Sequence, residues 1–266
     1  MNTWITTSLE DNLYFVTLNR PEKRNAIPPD MLDDLANAVR KSDEYPQVRA
    51  VIIRAEGAVF SAGIDVMALA GAKAAAGNQH PARWARRMAE KMQNAVNLIE
   101  ATELPIIGAL QGQVLGLGLE LALAFDLRVA TESCQFRMPE VGLGLVADVG
   151  GTTRLSRIIG PSRAKDMLMT GRVVNAQEAL QWGLVNRIVP DGDLHTATLN
   201  LAQEIAANAP LAVGLYKRII DQGDGVEKGT QMALERWAQS QLLTSEDVGE
   251  ALMAFLQKRK PEFKGR

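Results

Sequence analysis

A chain of 266 residues, 47% apolar and 23% charged, can bury a large core in one or two domains. Its formal net charge of −2 gives no general attraction to nucleic acid or to an anionic membrane. The single cysteine, Cys134, excludes an internal disulfide, and the two histidines, His80 and His195, lack ligand spacing, so no metal is expected.

From Trp4 to Thr7 and from Leu13 to Leu18 the residues favour a β-hairpin turning through Glu10-Asp11-Asn12. Pro28-Pro29 then opens a helix whose apolar face is Met31, Leu32, Leu35 and Val39. Val51-Ile52-Ile53 marks a short buried strand, and a turn at Glu56-Gly57 leads to Phe60-Ser61-Ala62-Gly63-Ile64-Asp65. Residues 68–80, dominated by Ala and Gly, read as a surface loop or mobile lid. A helix is predicted over 82–100, a strand over 105–110, a helix after Gly116 and a strand over 126–130. Helices follow over 152–159, from Pro161 and over 176–182, with a last strand over 184–189. This alternation predicts an α/β core over residues 1–192 with parallel crossovers. From Asp193 onward the pattern is helical only, which predicts a second region, 193–266, used for assembly. The residues up to Asn12 lack a basic segment followed by an apolar one. The longest apolar run, Val114 to Phe125, is broken by Glu120 and too short to span a bilayer. A cytoplasmic protein is expected, with no membrane or nucleic-acid partner.

Chemistry concentrates in Val114-Leu115-Gly116-Leu117-Gly118-Leu119-Glu120 and in Pro139-Glu140. Glycines let backbone approach a ligand, and the free N–H groups of a new helix favour negative charge. Glu120 lies in a helix that is apolar nearly all round, so it is expected to be buried, and buried acids persist when paired or functional. A structural ion pair with Arg128 or Arg154 is the plainer alternative. Phe60 to Asp65 could supply further backbone donors, or could be an ordinary turn capped by Asp65. Gly116-x-Gly118 also begins a dinucleotide fingerprint, but Leu121 stands where its third glycine belongs. The basic tail from Lys258 to Arg266 reads either as a solvated terminus or as a grip on phosphates.

These pieces, in order, resemble the crotonase family of enoyl-CoA hydratases and isomerases over essentially the whole chain. The resemblance begins at Leu18-Asn19-Arg20-Pro21 and Lys23-Arg24-Asn25-Ala26. It continues through Phe60 to Asp65, the 112–126 block, Pro139-Glu140, Gly150-Gly151-Thr152, Gly171, Gly183-Leu184-Val185 and Lys258-Arg259-Lys260-Pro261. It implies a spiral of ββα units with a helical C-terminal region that builds a homo-trimer or a dimer of trimers. It implies an acyl-CoA substrate, with coenzyme A as part of that substrate and no separate cofactor. By motif position the backbone N–H groups of Ile64 and Leu117 hold the thioester oxygen, although glycine is usual at the second position. The Ala62 carbonyl receives the adenine, Arg24, Ala26, Asp65 and Gly116 line the substrate path, and Phe263 and Lys264 reach it from a neighbouring subunit.

Glu120 and Glu140 match the two acids of the hydratases, and one of so close a pair is expected to have a raised pKa. Val146-Ala147-Asp148-Val149-Gly150 stands where many hydratases have a Pro-Gly step. It resembles the dienoyl-CoA isomerase branch, in which Asp148 is a third acid, although that branch usually has Asp at the position of Glu120. Asp148 as a helix N-cap is the competing reading. A non-catalytic acyl-CoA- or RNA-binding homologue is the rival class, opposed by the intact acid pair and the mild charge.

Overall fold

A computed structural model describes residues 4–223 and 225–266 of the chain. The described residues form nine strands: β1 (Ile5–Glu10), β2 (Leu13–Leu18), β3 (Ala50–Ala55), β4 (Ile106–Leu110), β5 (Gln113–Leu115), β6 (Leu127–Thr131), β7 (Gln135–Arg137), β8 (Val174–Asn175) and β9 (Arg187–Val189). The first two make the predicted antiparallel hairpin, with Asp11 at φ 53° in its turn. Every other neighbour in the six-stranded order β1-β2-β3-β4-β6-β9 is parallel, so each step along this sheet needs a crossover. A second sheet, β5-β7-β8, carries the remaining strands. Its strands are two or three residues long, too short to leave a period in the sequence.

The large sheet is apolar on both faces, and the alternation of side chains sorts its residues between two cores. Tyr14, Val16, Leu18, Val51 and Ile53 face the main core. There they meet Met31, Leu32, Leu35 and Val39 of α1 (Pro29–Arg40). Met92, Val96 and Ile99 of a later helix, Pro81–Glu100, join the same core. Between those two helices lies α2 (Val66–Ala75), which makes the longer one α3. The loop expected over 68–80 is thus helical as far as Ala75. Alanine is the strongest helix former, and the Asp65 carboxylate caps the first turn by accepting from Ala68 N–H at 3.0 Å. The helix packs poorly nonetheless, leaving Met67 81% exposed.

Further along come α4 (Leu117–Ala122), α5 (Gly151–Ile159), α6 (Pro161–Thr170), α7 (Ala176–Trp182) and α8 (Leu194–Ala206). The last of these lies just past the change to purely helical periodicity at 192/193. Leu201 and Ala202 of α8 are buried against Leu13, Phe15, Ile52, Ile107 and Val129, the opposite face of the large sheet. A sheet buried on both sides needs a cover on both, and α8 is the second cover. The helices that stand apart from this packing are α9 (Pro210–Gly223), α10 (Lys228–Leu242) and α11 (Glu246–Gln257). The first is tied to the core through Lys217, whose Nζ lies 2.8 Å from Asp126, and through an Arg218–Glu103 ion pair. On α11 the apolar residues Leu252, Phe255 and Leu256 face outward, whereas Ala254 and Asp247 are buried. Among the described residues no helix is long and apolar enough to cross a membrane.

Leu201→Ala is expected to lower stability in denaturant unfolding by about 2–5 kcal/mol, the cost of a cavity in a packed core. A loss no larger than that of an average surface substitution would put α8 outside the core.

Candidate active site

Two chain segments that are far apart in sequence run side by side here. Ser61 N–H donates to the Gln113 carbonyl at 3.1 Å, and Leu115 N–H donates to the Ser61 carbonyl at 3.0 Å. On its other side the same segment is held by Ile27 N–H to Gly63 O at 2.8 Å and Asp65 N–H to Ile27 O at 2.9 Å. This parallel docking brings the turn at Gly63 beside the turn at Gly116. Gly63 has φ +92°, and a Cβ there would stand 2.9 Å from the Leu115 carbonyl oxygen and 3.6 Å from the Leu117 nitrogen. Gly116 has φ +47°, and a Cβ there would stand 2.6 Å from Glu140 Oε1. Both conformations disfavour a side chain, and at Gly63 the neighbouring backbone leaves no room for one either. Among the described residues, none of the backbone bonds that hold these turns uses the Ile64 or the Leu117 N–H. Leu117 is the first residue of α4 and is not among the residues with positive φ, so the leucine found where glycine is usual fits without strain. Its side chain is buried in the main core.

Glu120 sits one turn into α4 and is only 3% exposed. Neither arginine considered as its partner reaches it. Arg128 donates to the Leu184 carbonyl at 2.7 Å and to the Phe125 carbonyl at 2.5 Å. Arg154 pairs with Glu100. Instead, Glu120 Oε1 accepts from Val149 N–H at 2.7 Å and from Gly151 N–H at 2.9 Å. These amides belong to the loop that opens α5, so Glu120 caps a helix from a different element. Burial raises its pKa from 4.5 to about 7 against the pull of the two amides, and the charges of Glu140 and Asp148 add to the rise.

Glu140 begins a short turn of 3-10 helix after β7, half-buried, with its Oε1 against Gly116. Its Oε2 is buried and has no hydrogen-bond partner among the described residues. Burial pushes the Glu140 carboxyl up, and the Asp148 charge pushes it further. The acids therefore differ in kind: Glu120 is oriented by fixed donors, whereas Glu140 carries a free oxygen. Asp148 is exposed, yet the protein around its carboxyl raises its pKa by desolvation. It is not the N-cap of α5: that position is Gly150, with no side-chain cap bond. The Asp148 carbonyl accepts from Gln93 Nε2 at 2.5 Å.

Of the remaining residues, Arg24 is exposed at φ 50°, and its carbonyl accepts from Ala62 N–H at 2.9 Å, which puts the 24–26 turn beside the 62–64 turn. The Ala26 carbonyl accepts from Arg20 at 2.5 Å. Asp65 is committed to structure, through Ala68 N–H and an ion pair with Arg20 at 3.1 Å. The Ala68 amide is the main reason its carboxyl lies below the usual range. Within one chain Lys264 N–H is tied to Asp247 at 2.7 Å, so the tail carrying Phe263 and Lys264 lies along the start of α11. Among the described residues no cluster of three or more His, Cys, Asp or Glu side chains is placed to hold a metal ion. A cavity of about 430 Å³ opens at the other cover of the sheet, lined by Phe15, Ile52, Arg54, His195 and Thr198. It contains none of the acids, and chemistry rather than volume locates the site. The bonds of the Val149 and Gly151 amides to Glu120 are not revealed by the sequence, because a backbone donor leaves no residue-type signature.

A sequence model of the enoyl-CoA hydratase/isomerase family matches residues 8–266. A crotonyl-CoA hydratase of Syntrophomonas wolfei is 37% identical over 96% of this chain and 95% of its own length. A probable mitochondrial enoyl-CoA hydratase 2 of Arabidopsis thaliana is 37% identical over 94% of this chain and 81% of its own. Among solved structures, an enoyl-CoA hydratase from Bacillus anthracis superposes with a TM-score of 0.91 at 33% identity, covering 99% of this chain and 100% of that one.

Because folding raises the pKa of Glu120, the carboxyl favours the folded state most when protonated. That contribution is full below 4.5 and is lost as the pH rises through about 7. Glu120→Gln, fixed in the neutral form, is expected to be more stable than the parent at pH 8 by about 1–3 kcal/mol, with the gap closing toward pH 5. Equal gaps at the two pH values in denaturant unfolding would contradict the assignment.

Proposed function

The chain belongs to the enoyl-CoA hydratase/isomerase family, and from that premise we propose that it adds water across the double bond of a 2-enoyl-CoA thioester. In this reading the Ile64 and Leu117 N–H groups hold the thioester oxygen and carry the enolate charge that develops on it. Glu120 orients a water and takes one of its protons as the oxygen bonds to the β-carbon. Glu140 delivers a proton to the α-carbon. One proton leaves the water and one arrives on carbon, so a proton exchange with solvent resets the pair for the next turnover. No further cofactor enters, because the coenzyme A is carried by the substrate.

The observation that supports this most is the contrast between the two carboxylates across Gly116. A water-orienting base needs a fixed direction, and Glu120 has it from two amides. A proton carrier needs a free oxygen, and Glu140 has one. Each oxyanion donor is worth about 3–4 kcal/mol of barrier and each acid–base group about 10²–10⁴ in rate.

Asp148 supports a second reading, isomerisation of a 3,5-dienoyl-CoA to the 2,4-isomer. Glu140 removes a proton from C2 and Asp148 returns one at C6, with the double bonds shifting between them. The reading is supported by the charge of its carboxyl, which raises the pKa of both glutamates.

A homo-trimer, or a dimer of trimers, completes the proposal. The outward apolar residues of the last helices, among them Tyr216, Ile220, Trp237, Phe255 and Leu256, support it, since such a surface is normally covered by another chain. Phe263 and Lys264 then meet the coenzyme A of a neighbour, with Arg24, Ala26 and Ala62 of the chain that binds it.

The test is loss of enoyl absorbance on hydration of a short 2-enoyl-CoA. Glu120→Gln and Glu140→Gln are each expected to lower kcat by about 10²–10⁴. Retention of parental rates by either variant would refute the role of that acid. Asp148→Asn is expected to spare hydration and to abolish any 3,5-dienoyl isomerisation, and unchanged isomerisation would dismiss the three-acid reading.

A further inference from the structure

The loop 147–151 aims two amides at Glu120, yet it lies outside helix and strand until α5 begins at Gly151. Its own hydrogen bonds do not explain why it keeps that direction. The explanation lies behind it, on α3. Gln93, Asn97 and Glu100 stand at i, i+4 and i+7, one face of that helix. Gln93 holds the Asp148 carbonyl at 2.5 Å. Asn97 Oδ1 and Glu100 Oε2 each accept from Arg154 Nη2 at 2.7 Å, and Glu100 Oε1 accepts from Nε at 3.0 Å. The other terminal nitrogen, Nη1, donates to the Val149 carbonyl at 3.3 Å. Val149 is thus gripped on both sides of one residue, its carbonyl by Arg154 and its N–H by Glu120.

We propose that Arg154 is a positioning residue for Glu120, a clamp fastened to Glu100 and Asn97 that keeps the Val149 and Gly151 N–H groups aimed at the Glu120 carboxylate. A guanidinium suits this task because its planar fork reaches several acceptors in fixed directions. The Arg154 side chain is only 10% exposed, so its bonds are little weakened by water, and Glu100, at 40%, anchors it from the rim. The proposal rests on the assignment of Glu120 as a catalytic acid, but the clamp itself acts on the ionisation of that group and can be read without substrate.

The charged groups facing Glu120 are Glu140 from the turn after β7 and Asp148 from the loop, with Arg154 of α5 and Glu100 of α3 behind the loop. This arrangement makes clamp and charge separable. Glu100→Gln removes a negative charge, which by Coulomb's law alone lowers the Glu120 pKa. Loosening the clamp withdraws amide donors from the carboxylate, which raises it.

The experiment is a pH titration of the Glu120 carboxyl by ¹³C NMR in full-length protein labelled at glutamate, with the signal identified by its loss in Glu120→Gln. Glu100→Gln is expected to move the midpoint up by about half a pH unit, and Arg154→Met by about one unit or more. Arg154→Lys, which keeps the charge and loses the fork, is expected to retain at least half of the Arg154→Met shift. In steady-state hydration the same variants are expected to lower kcat about tenfold while KM changes less than about threefold, since a misdirected base harms the chemical step rather than binding. A Glu120 midpoint that stays or falls in Glu100→Gln overturns the proposal, as does full restoration by Arg154→Lys. Should Arg154→Met fail to fold, the Glu100→Gln titration decides alone. A parent protein that turns over no enoyl-CoA counts against the proposed activity, while the titration still decides for or against the clamp.

Discussion

A carboxylate placed inside an apolar helix must be neutralised or given donors, because an isolated buried charge is prohibitively costly. Glu120 meets that demand by a route that organises its surroundings. It takes the Val149 amide of the preceding loop and the Gly151 amide that opens α5, so the helix start and the acid satisfy each other. The α5 loop must then lie across α4, and α4 must start where Gly116 turns. That turn in turn fixes Leu117 beside the Gly63 turn and Gly116 against Glu140. Removing the buried acid would leave the amides at the start of α5 without their acceptor and the apposed turns without a common centre.

The same constraint explains why the three acids differ. All are raised by burial, and their mutual repulsion adds to the effect on the two glutamates. A backbone N–H opposes that rise at each of the three, but only at Glu120 are the donors two amides from another element. Glu140 has a buried oxygen without a hydrogen-bond partner among the described residues, and Asp148 stands at the exposed edge. One backbone loop thus separates a carboxylate held by donors from another element from one with an unpaired oxygen among the described residues. Its direction depends in turn on α3, a helix reached through the exposed and poorly packed α2. Variation in the 66–100 region would therefore be felt at the centre of the site as well as at its wall.

Much of this is legible from residue types. Alternation and apolar runs locate β2, β3 and α1, since both faces of those strands and one face of that helix are buried. The isolated glutamate at 120 stands out because a charge among leucines demands a reason. The glycines at 63 and 116 are visible as turns, and the ordered motifs are the ground for proposing Ile64 and Leu117 as donors. Other features leave weaker traces. The short strands β5 and β7 align the two turns, but three residues carry no readable period. Residues 68–75 have the composition of a loop, while alanine propensity and the Asp65 cap make a helix of them. The division at 192/193 follows a change in periodicity, which carries no trace of the burial of Leu201 under the sheet. Arg154 enters from the sequence only as a candidate partner for Glu120. Its true acceptors lie on α3, more than fifty residues earlier, and only the fold brings them together.

The central claim is that two main-chain amides from distant turns and two unlike glutamates enclose one reacting thioester. It is tested most directly by a crystal structure of the protein with a bound 3-hydroxyacyl-CoA or a close analogue. The thioester oxygen is expected about 2.7–3.1 Å from both the Ile64 and the Leu117 nitrogen, with the β-carbon oxygen against Glu120 and the α-carbon facing Glu140. A thioester oxygen bonded to neither amide, with the acyl chain directed away from both glutamates, would contradict it.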